Sequence, residues 1–242
     1  MSLVVLVPSR GRPDAAVEVQ KSFDLTADRL DTRLIFVIDE DDPQLEGYQS
    51  VRYATHNVGD GLGIELIVQP PFRRGMVGAL NQAARTILRE YPQPEVLGFI
   101  GDDHRFRTKG WDTLILAHLR DHPGFAYADD LAQRQNLPTQ CFITARIVEA
   151  LGYMAMPTLD HLYVDNAWKD LGEAVDALYY FPKVVIEHLH PAYGKGEWDE
   201  GHVFANSQEM YGHDGDAFRE WKESPRWGRD VSRVQAALET FS

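Results

Sequence analysis

Two adjacent carboxylates, Asp102 and Asp103, are the residues of this chain best suited to chemistry, and they end a short apolar run beginning at Val96. The run follows Pro94 and predicts a buried strand, and open α/β sheets bind ligands at the carboxyl ends of such strands. Adjacent carboxylates repel each other, and a divalent cation commonly offsets the repulsion because hard cations take carboxylate oxygens. A solvated turn in which an Asp caps the next helix fits the same residues equally well.

Two histidines, His188 and His190, follow the last predicted strand, residues 179–187. Residues two apart on a strand point the same way, so both imidazoles can reach one site, or only the better placed one does. A lone His is more often structural than a ligand. A His-x-His after a strand, in a chain with Asp-Asp after another strand, favours a metal ligand.

Asp165 begins a predicted helix that ends near Gly172. As an N-cap, its carboxylate would contribute about 1 kcal/mol to stability. As a functional group, a carboxylate at a helix start can face a cleft and act as a general base. Both interpretations remain open at this stage.

An anion-binding pattern follows the predicted first strand, residues 3–7, in the loop of residues 8–13. Arg10 and Arg12 offer bidentate donors beside Ser9, and the following helix start offers free N–H groups. A phosphate or nucleotide therefore suits this loop, although a plain turn with solvated Arg has the same composition. The dinucleotide fingerprint GxGxxG is absent.

Two more positions are candidate ligand contacts, although most of the acidic turn at residues 39–43 is expected to be solvated. Asp39 stands directly at the end of a second predicted strand, residues 34–38. Arg74 and Gly75 precede a helix predicted over residues 76–91, at the end where the helix dipole favours anions.

The elements that must position these residues alternate between strand and helix, which predicts an α/β fold with a mainly parallel sheet flanked by helices. The predicted strands are residues 3–7, 34–38, 64–68, 96–100, 125–128, 140–144 and 179–187, and the predicted helices are 14–23, 76–91, 111–119, 145–151, 165–172 and 231–241.

The length fits one α/β domain of ordinary size or two small domains. The chain has 242 residues, 44% of them hydrophobic, and a formal net charge of -13 that argues against nucleic acid or an anionic membrane as the main partner. Cys141 is the one cysteine, so no internal disulfide can form and a reducing compartment fits. The apolar run at the N-terminus is too short for a signal peptide or a membrane span. We therefore expect a soluble, cytoplasmic protein.

The segment of residues 192–242 differs in character from the rest. Residues 193–198 are Gly-flanked and carry Lys195 and Trp198, which suits either a lid over a diphosphate or an ordinary surface loop. No function follows from residues 208–242. We expect a core over residues 1–191 and a C-terminal lid loop and helical extension, 192–242, packed on the same domain.

The order and spacing of these motifs resemble GT-A nucleotide-sugar glycosyltransferases, particularly the GT2-like group, over roughly residues 3–191. The resemblance implies a GT-A type, Rossmann-like sheet that binds a nucleoside-diphosphate sugar. It places donor or nucleotide contacts at Pro8, Ser9, Arg10, Arg12, Asp39, Arg74, Gly75, Asn81, Asp102 and Lys195.

The resemblance also implies a metal and a catalytic base. The family's DXD motif falls on Gly101-Asp102-Asp103, with Gly in place of the first acid, so metal binding rests on Asp103 with help from Asp102. The late metal-binding His of some members falls on His188 or His190. The base of inverting members falls on Asp165. The expected cofactor is Mn²⁺ or Mg²⁺.

The expected activity is metal-dependent transfer of a sugar to an acceptor hydroxyl, with a protein, a glycan or a modified nucleobase as acceptor. The compact chain also resembles glycosyltransferases encoded by actinobacterial phages, which would place it in the host cytoplasm. The alternatives are a nucleotidyltransferase acting on sugar phosphates and a catalytically inactive sugar-nucleotide-binding module. A metal-dependent hydrolase is more distant, because the acids and histidines form no compact ligand motif.

Overall fold

A computed structural model describes residues 2–49, 63–70, 75–90 and 94–239. Its strands are β1 Leu3–Pro8, β2 Thr32–Asp39, β3 Gly63–Gln69, β4 Val96–Phe99, β5 His104–Phe106, β6 Phe125–Asp129, β7 Cys141–Thr144 and β8 Leu178–His188. Its α-helices are α1 Pro13–Thr26, α2 Gly75–Glu90, α3 Trp111–Asp121, α4 Ala145–Leu151, α5 Val164–Ala174, α6 Glu200–Ala205, α7 Gln208–Glu223 and α8 Pro225–Glu239.

The strands form one curled sheet in the order β3-β2-β1-β4-β7-β6-β8-β5. The pairs from β3 to β4 are parallel, as is the pair of β6 with β8. β7 runs antiparallel between β4 and β6, and β5 runs antiparallel to β8. The predicted α/β class is confirmed, with a continuous parallel half and a mixed half.

The parallel half is buried on both faces because its strands are apolar at successive positions. Leu3, Val5 and Val7 of β1 pack on one face against α1 and α3, while Val4 and Leu6 pack on the other face against α2. Alternate side chains of a strand point to opposite faces, so one run supplies two cores. The carboxyl ends of these strands are thereby held at a common edge.

The C-terminal segment contributes more structure than its sequence predicted. Only the last helix was expected, yet α6 and α7 are also present, and each has a side-chain N-cap: Asp199 accepts from His202 N and Ser207 from Met210 N. Trp221 of α7 and Val234 of α8 are buried in the same core as α2, α4 and α5. No helix among the described residues combines the length and the apolar character needed to cross a membrane.

Candidate active site

A cavity of about 590 Å³ opens at the carboxyl ends of β1, β2 and β4. The strand order turns back between β1 and β4, which is the position where open α/β sheets bind nucleotides. Most of the predicted site residues line this cavity: Pro8, Ser9, Arg10, Arg12, Asp39, Gly75, Asp102, Asp103, Asp165, His188 and His190.

Asp103 is brought to the histidines by the pairing of β5 with β8, in which His104 lies opposite His188. His188 Nε2 lies 3.1 Å from Asp103 Oδ2, and His104 Nδ1 lies 3.2 Å from Asp103 Oδ1. Burial disfavours the charged form of Asp103, but the hydrogen bonds with His104 and His188 outweigh it and hold the pKa well below its usual range. Asp103 is therefore an anion at neutral pH.

Gly101 stands where the expected DXD pattern has its first acid. A Cβ at this position would lie 2.6 Å from Asp103 Oδ1 and 3.1 Å from His104 Nδ1. A side chain at position 101 would require the Asp103 carboxylate to shift, so glycine leaves room for that carboxylate beside His104.

Asp103 also belongs to a group of possible metal ligands with His190 and His202. One donor atom from each of these three residues lies within 4.8 Å of the other two. His202 Nε2 is 3.7 Å from Asp103 Oδ2, which is too long for a hydrogen bond. His202 Nε2 is buried and lacks a hydrogen-bond partner within the described part of the chain. A carboxylate facing an unpaired imidazole nitrogen is a donor set that fits a divalent cation.

Asp199 supports this interpretation from the Nδ1 side of the His202 ring, because its Oδ1 lies 3.0 Å from His202 Nδ1. A carboxylate at Nδ1 keeps the proton on that nitrogen and leaves Nε2 free to ligate, as in many metal sites. Asp199 also accepts from Arg12 Nη2 at 2.5 Å, which joins the start of α6 to the loop after β1.

His190 contributes a neutral imidazole, since burial lowers its pKa to about 4. Its Nδ1 accepts the Ala192 N–H at 3.1 Å. Because the second nitrogen of a ligating imidazole carries the proton, His190 must release this hydrogen bond to bind a cation.

Asp102 points away from the histidine cluster and toward the loop after β1. Its Oδ2 accepts from Ser9 Oγ at 2.6 Å, and its Oδ1 accepts from Arg12 Nη1 at 3.1 Å. Burial raises the pKa of Asp102, while the Arg12 charge opposes that shift. Both oxygens are thus engaged in holding the loop against β4.

Arg10 and Asp39 form the neighbouring part of the cavity. Arg10 Nη1 lies 3.3 Å from Asp39 Oδ2 and 2.6 Å from Asp41 Oδ1. Asp39 Oδ1 is buried and has no hydrogen-bond partner among the described residues. Burial raises the pKa of Asp39, and the Arg10 charge opposes that shift. An unpaired carboxylate oxygen suits a hydroxyl or N–H donor of a ligand.

Asp165 lies in the first turn of α5, where Tyr163 occupies the N-cap position with φ 62°. The interpretation of Asp165 as the N-cap is therefore wrong, because the helix begins one residue earlier, at Val164. Asp165 Oδ1 accepts from Asn166 N at 2.9 Å. Burial raises the pKa of Asp165 to about 6, although the Asn166 N–H favours the charged form. This carboxylate can accept a proton near neutral pH.

The structure does not bring Asn81 or Lys195 to the cavity. Asn81 is buried in α2 and bonds the backbone of Met154 and Ala155. Lys195 donates to Glu187 Oε1 at 3.1 Å and to Leu131 O at 3.3 Å. The predicted donor contact Arg74 lies outside the described residues.

Sequence reasoning missed His161, Asp199 and His202, of which His161 and His202 line the cavity. His161 is a neutral group, since burial lowers its pKa. The one usable signal was the capping pattern that places Asp199 three residues before His202. Nothing in the sequence links residues 199–202 to Asp103, almost a hundred positions away.

The fold is similar to those of solved glycosyltransferases. A mannosyltransferase from Pyrobaculum calidifontis, PcManGT, solved with GDP-Man and Mn²⁺, matches with a TM-score of 0.64 and 17% identity over 99% of this chain and 72% of that chain. S. aureus TarS 1-349 with UDP matches with a TM-score of 0.59 and 10% identity, over 100% of this chain and 91% of that chain. TarS 1-349 with UDP-GlcNAc matches with a TM-score of 0.58 and 11% identity, over 100% of this chain and 80% of that chain.

No protein-family model matches the sequence, and no curated protein matches it significantly. The likeness therefore rests on three-dimensional structure, where it extends over nearly the whole chain. The curled sheet and its flanking helices match those of these glycosyltransferases. The chain has the GT-A glycosyltransferase fold.

Proposed function

We propose that this protein is a metal-dependent glycosyltransferase that moves a sugar from a nucleoside-diphosphate donor to an acceptor hydroxyl. The observation that carries the proposal is that one cavity holds both a cluster of metal-ligating type, Asp103, His190 and His202, and the carboxylate of Asp165. The complexes of PcManGT with GDP-Man and Mn²⁺ and of TarS with UDP-GlcNAc support it.

The cation would be held by Asp103, His190 and His202. This set of one carboxylate and two imidazoles suits Mn²⁺ better than Mg²⁺, which prefers an all-oxygen, largely hydrated shell. A bound cation would supply positive charge that stabilises the diphosphate leaving group.

The donor nucleotide would lie beside β1 and β2. Arg10 and Arg12 place guanidinium groups at the cavity, and both suit phosphate oxygens. The unpaired Oδ1 of Asp39 would accept a hydrogen bond from the ribose or the base. Asp102 acts by holding Ser9 and Arg12 in position.

Asp165 would act as the general base. It takes the acceptor's hydroxyl proton while the acceptor oxygen forms its bond to the anomeric carbon. The bond from that carbon to the diphosphate oxygen breaks, and its electron pair leaves with the diphosphate. Attack opposite the leaving group inverts the anomeric configuration. A pKa of about 6 keeps Asp165 ionised at neutral pH and close to the range in which a base works well.

The first test is calorimetric titration of the protein with UDP, GDP and TDP, with and without Mn²⁺. We expect one diphosphate to bind in a Mn²⁺-dependent manner, and Asp103→Ala to abolish the metal-dependent part. His190→Ala, His202→Ala and His188→Ala then separate the ligands, with the first two expected to weaken Mn²⁺ binding more than the third.

Two outcomes would contradict the proposal. Release of pyrophosphate from a nucleoside triphosphate would identify a nucleotidyltransferase. A sugar nucleotide that binds but is neither transferred nor hydrolysed would identify an inactive binding module.

A further inference from the structure

Asp214, on α7, is an acid with no exposed surface that lies outside the proposed metal and base sites. Its Oδ1 accepts from Asp160 N at 2.9 Å, and its Oδ2 accepts from His161 N at 2.8 Å and from Leu162 N at 2.6 Å. His213 Nδ1 lies 2.8 Å from the same carboxylate. Three backbone N–H donors on one buried carboxylate form a strong attachment between a helix and a loop.

The attached loop forms a wall of the cavity. It leads into Tyr163, whose left-handed backbone starts α5, and so into Asp165. On its other side, Asp160 O accepts from Val77 N at 3.2 Å. A Cβ on Gly75 would lie 2.9 Å from the same Asp160 oxygen, so α2 approaches the loop as closely as glycine permits. The loop thus sets the first turns of both α2 and α5.

We propose that Asp214 is a positioning residue of the active site. By clamping the backbone of residues 160–162, it places Asp165 at the correct distance from the Asp103 cluster. The C-terminal extension would therefore do more than cover the core, because α7 determines the geometry of the proposed base. This inference rests on the proposed function in one respect, the role of Asp165.

Asp230 offers a matched control. It is also an acid without exposed surface, and it also lies in the C-terminal extension, on α8. Its Oδ2 accepts from Tyr153 Oη at 2.7 Å and from Trp221 Nε1 at 3.0 Å. No hydrogen bond or ion pair of Asp230 among the described contacts reaches the loop of residues 160–162.

The experiment compares Asp214→Asn with Asp230→Asn in the full chain. Amide hydrogen exchange over residues 160–165 reports the clamp directly, and calorimetry with the nucleoside diphosphate and Mn²⁺ reports donor binding. Hydrolysis of the matching nucleotide sugar by water reports turnover. We expect exchange over residues 160–165 to rise about tenfold or more in Asp214→Asn alone. We expect kcat to fall about 100-fold with diphosphate affinity retained, as for a misplaced catalytic group.

Equal exchange and equal kcat loss in the two variants would overturn the proposal and leave Asp214 as a purely structural acid. If Asp214→Asn does not fold, Asp214→Glu keeps the charge and displaces the carboxylate by one methylene. Wild-type kcat in a folded Asp214→Glu with raised exchange would also overturn it. If no diphosphate binds the wild-type protein, the proposed function fails, while the exchange comparison still decides whether the clamp exists.

Discussion

The loops after β1 and β2 line the same cavity as the segment from β8 to α6, but the two regions satisfy their polar groups differently. In the first region, Asp102 is paired with Ser9 and Arg12, and Arg10 is paired with Asp41. In the second region, Nε2 of His202 and Nδ1 of His188 are buried without hydrogen-bond partners among the described residues.

This difference separates two tasks. Polar groups that already have partners define the shape of a site and stabilise it before any ligand arrives. Buried polar groups without partners are rare and costly, so they mark positions where a ligand completes the structure. The first region is thus largely preorganised apart from the unpaired Oδ1 of Asp39, whereas the unpaired imidazole nitrogens of the second region suit the cation proposed above.

The largest effect is expected from Asp165→Asn. Loss of a general base should lower transfer about 100- to 10,000-fold, with diphosphate affinity unchanged because the donor is proposed to bind in the other region. Thermal unfolding serves as the control. Because burial raises the pKa of Asp165, its charged form is destabilising at neutral pH, and the variant should unfold at the same temperature or higher. Normal turnover would exclude Asp165 as the base.

Asp199→Asn tests the support that Asp199 gives to His202, and it also removes the charge paired with Arg12. Asn caps a helix as well as Asp does, so α6 should persist, but the charge beside His202 Nδ1 is lost. We expect Mn²⁺ affinity to fall about 10- to 100-fold, as for other acids that support a ligating histidine. Asp216→Asn, an exposed acid of α7, is the matched control and should leave Mn²⁺ affinity unchanged. Equal affinities in the two variants would remove His202 from the metal site.

The pH dependence of turnover should reflect Asp165. Its pKa of about 6 means that the base is protonated and inactive at lower pH and ionised at higher pH. We expect kcat to rise about tenfold per pH unit below pH 6 and to level off above it. The profile should be measured with Mn²⁺ saturating at every pH. A kcat that does not change through pH 6 would contradict this assignment.

The smallest effect is expected from Lys195→Ala. Lys195 is paired with Glu187 away from the cavity, and a partly exposed ion pair contributes at most about 1 kcal/mol. Diphosphate affinity should change less than about twofold, whereas Arg12→Ala should weaken it clearly. A tenfold loss in Lys195→Ala would restore Lys195 as a donor contact.

Several features were predictable because they depend on neighbours in the sequence. The apolar runs before Asp39 and Asp102 indicated buried strands, and both acids stand at the same edge of the sheet. The helix beginning at Asp165 was predicted to within one residue at its start. Asn81 was different, because its partners at Met154 and Ala155 are more than seventy positions away.

The sequence by itself therefore determined the α/β class, the strand ends and the residue types suited to a cation and a nucleotide. Only the tertiary structure decided which of them meet. The pairing of His104 with His188 brings Asp103 to the histidines, and the start of α6 adds His202. These contacts are long-range and are set by strand register and helix packing. No local pattern of hydrophobicity or capping specifies them.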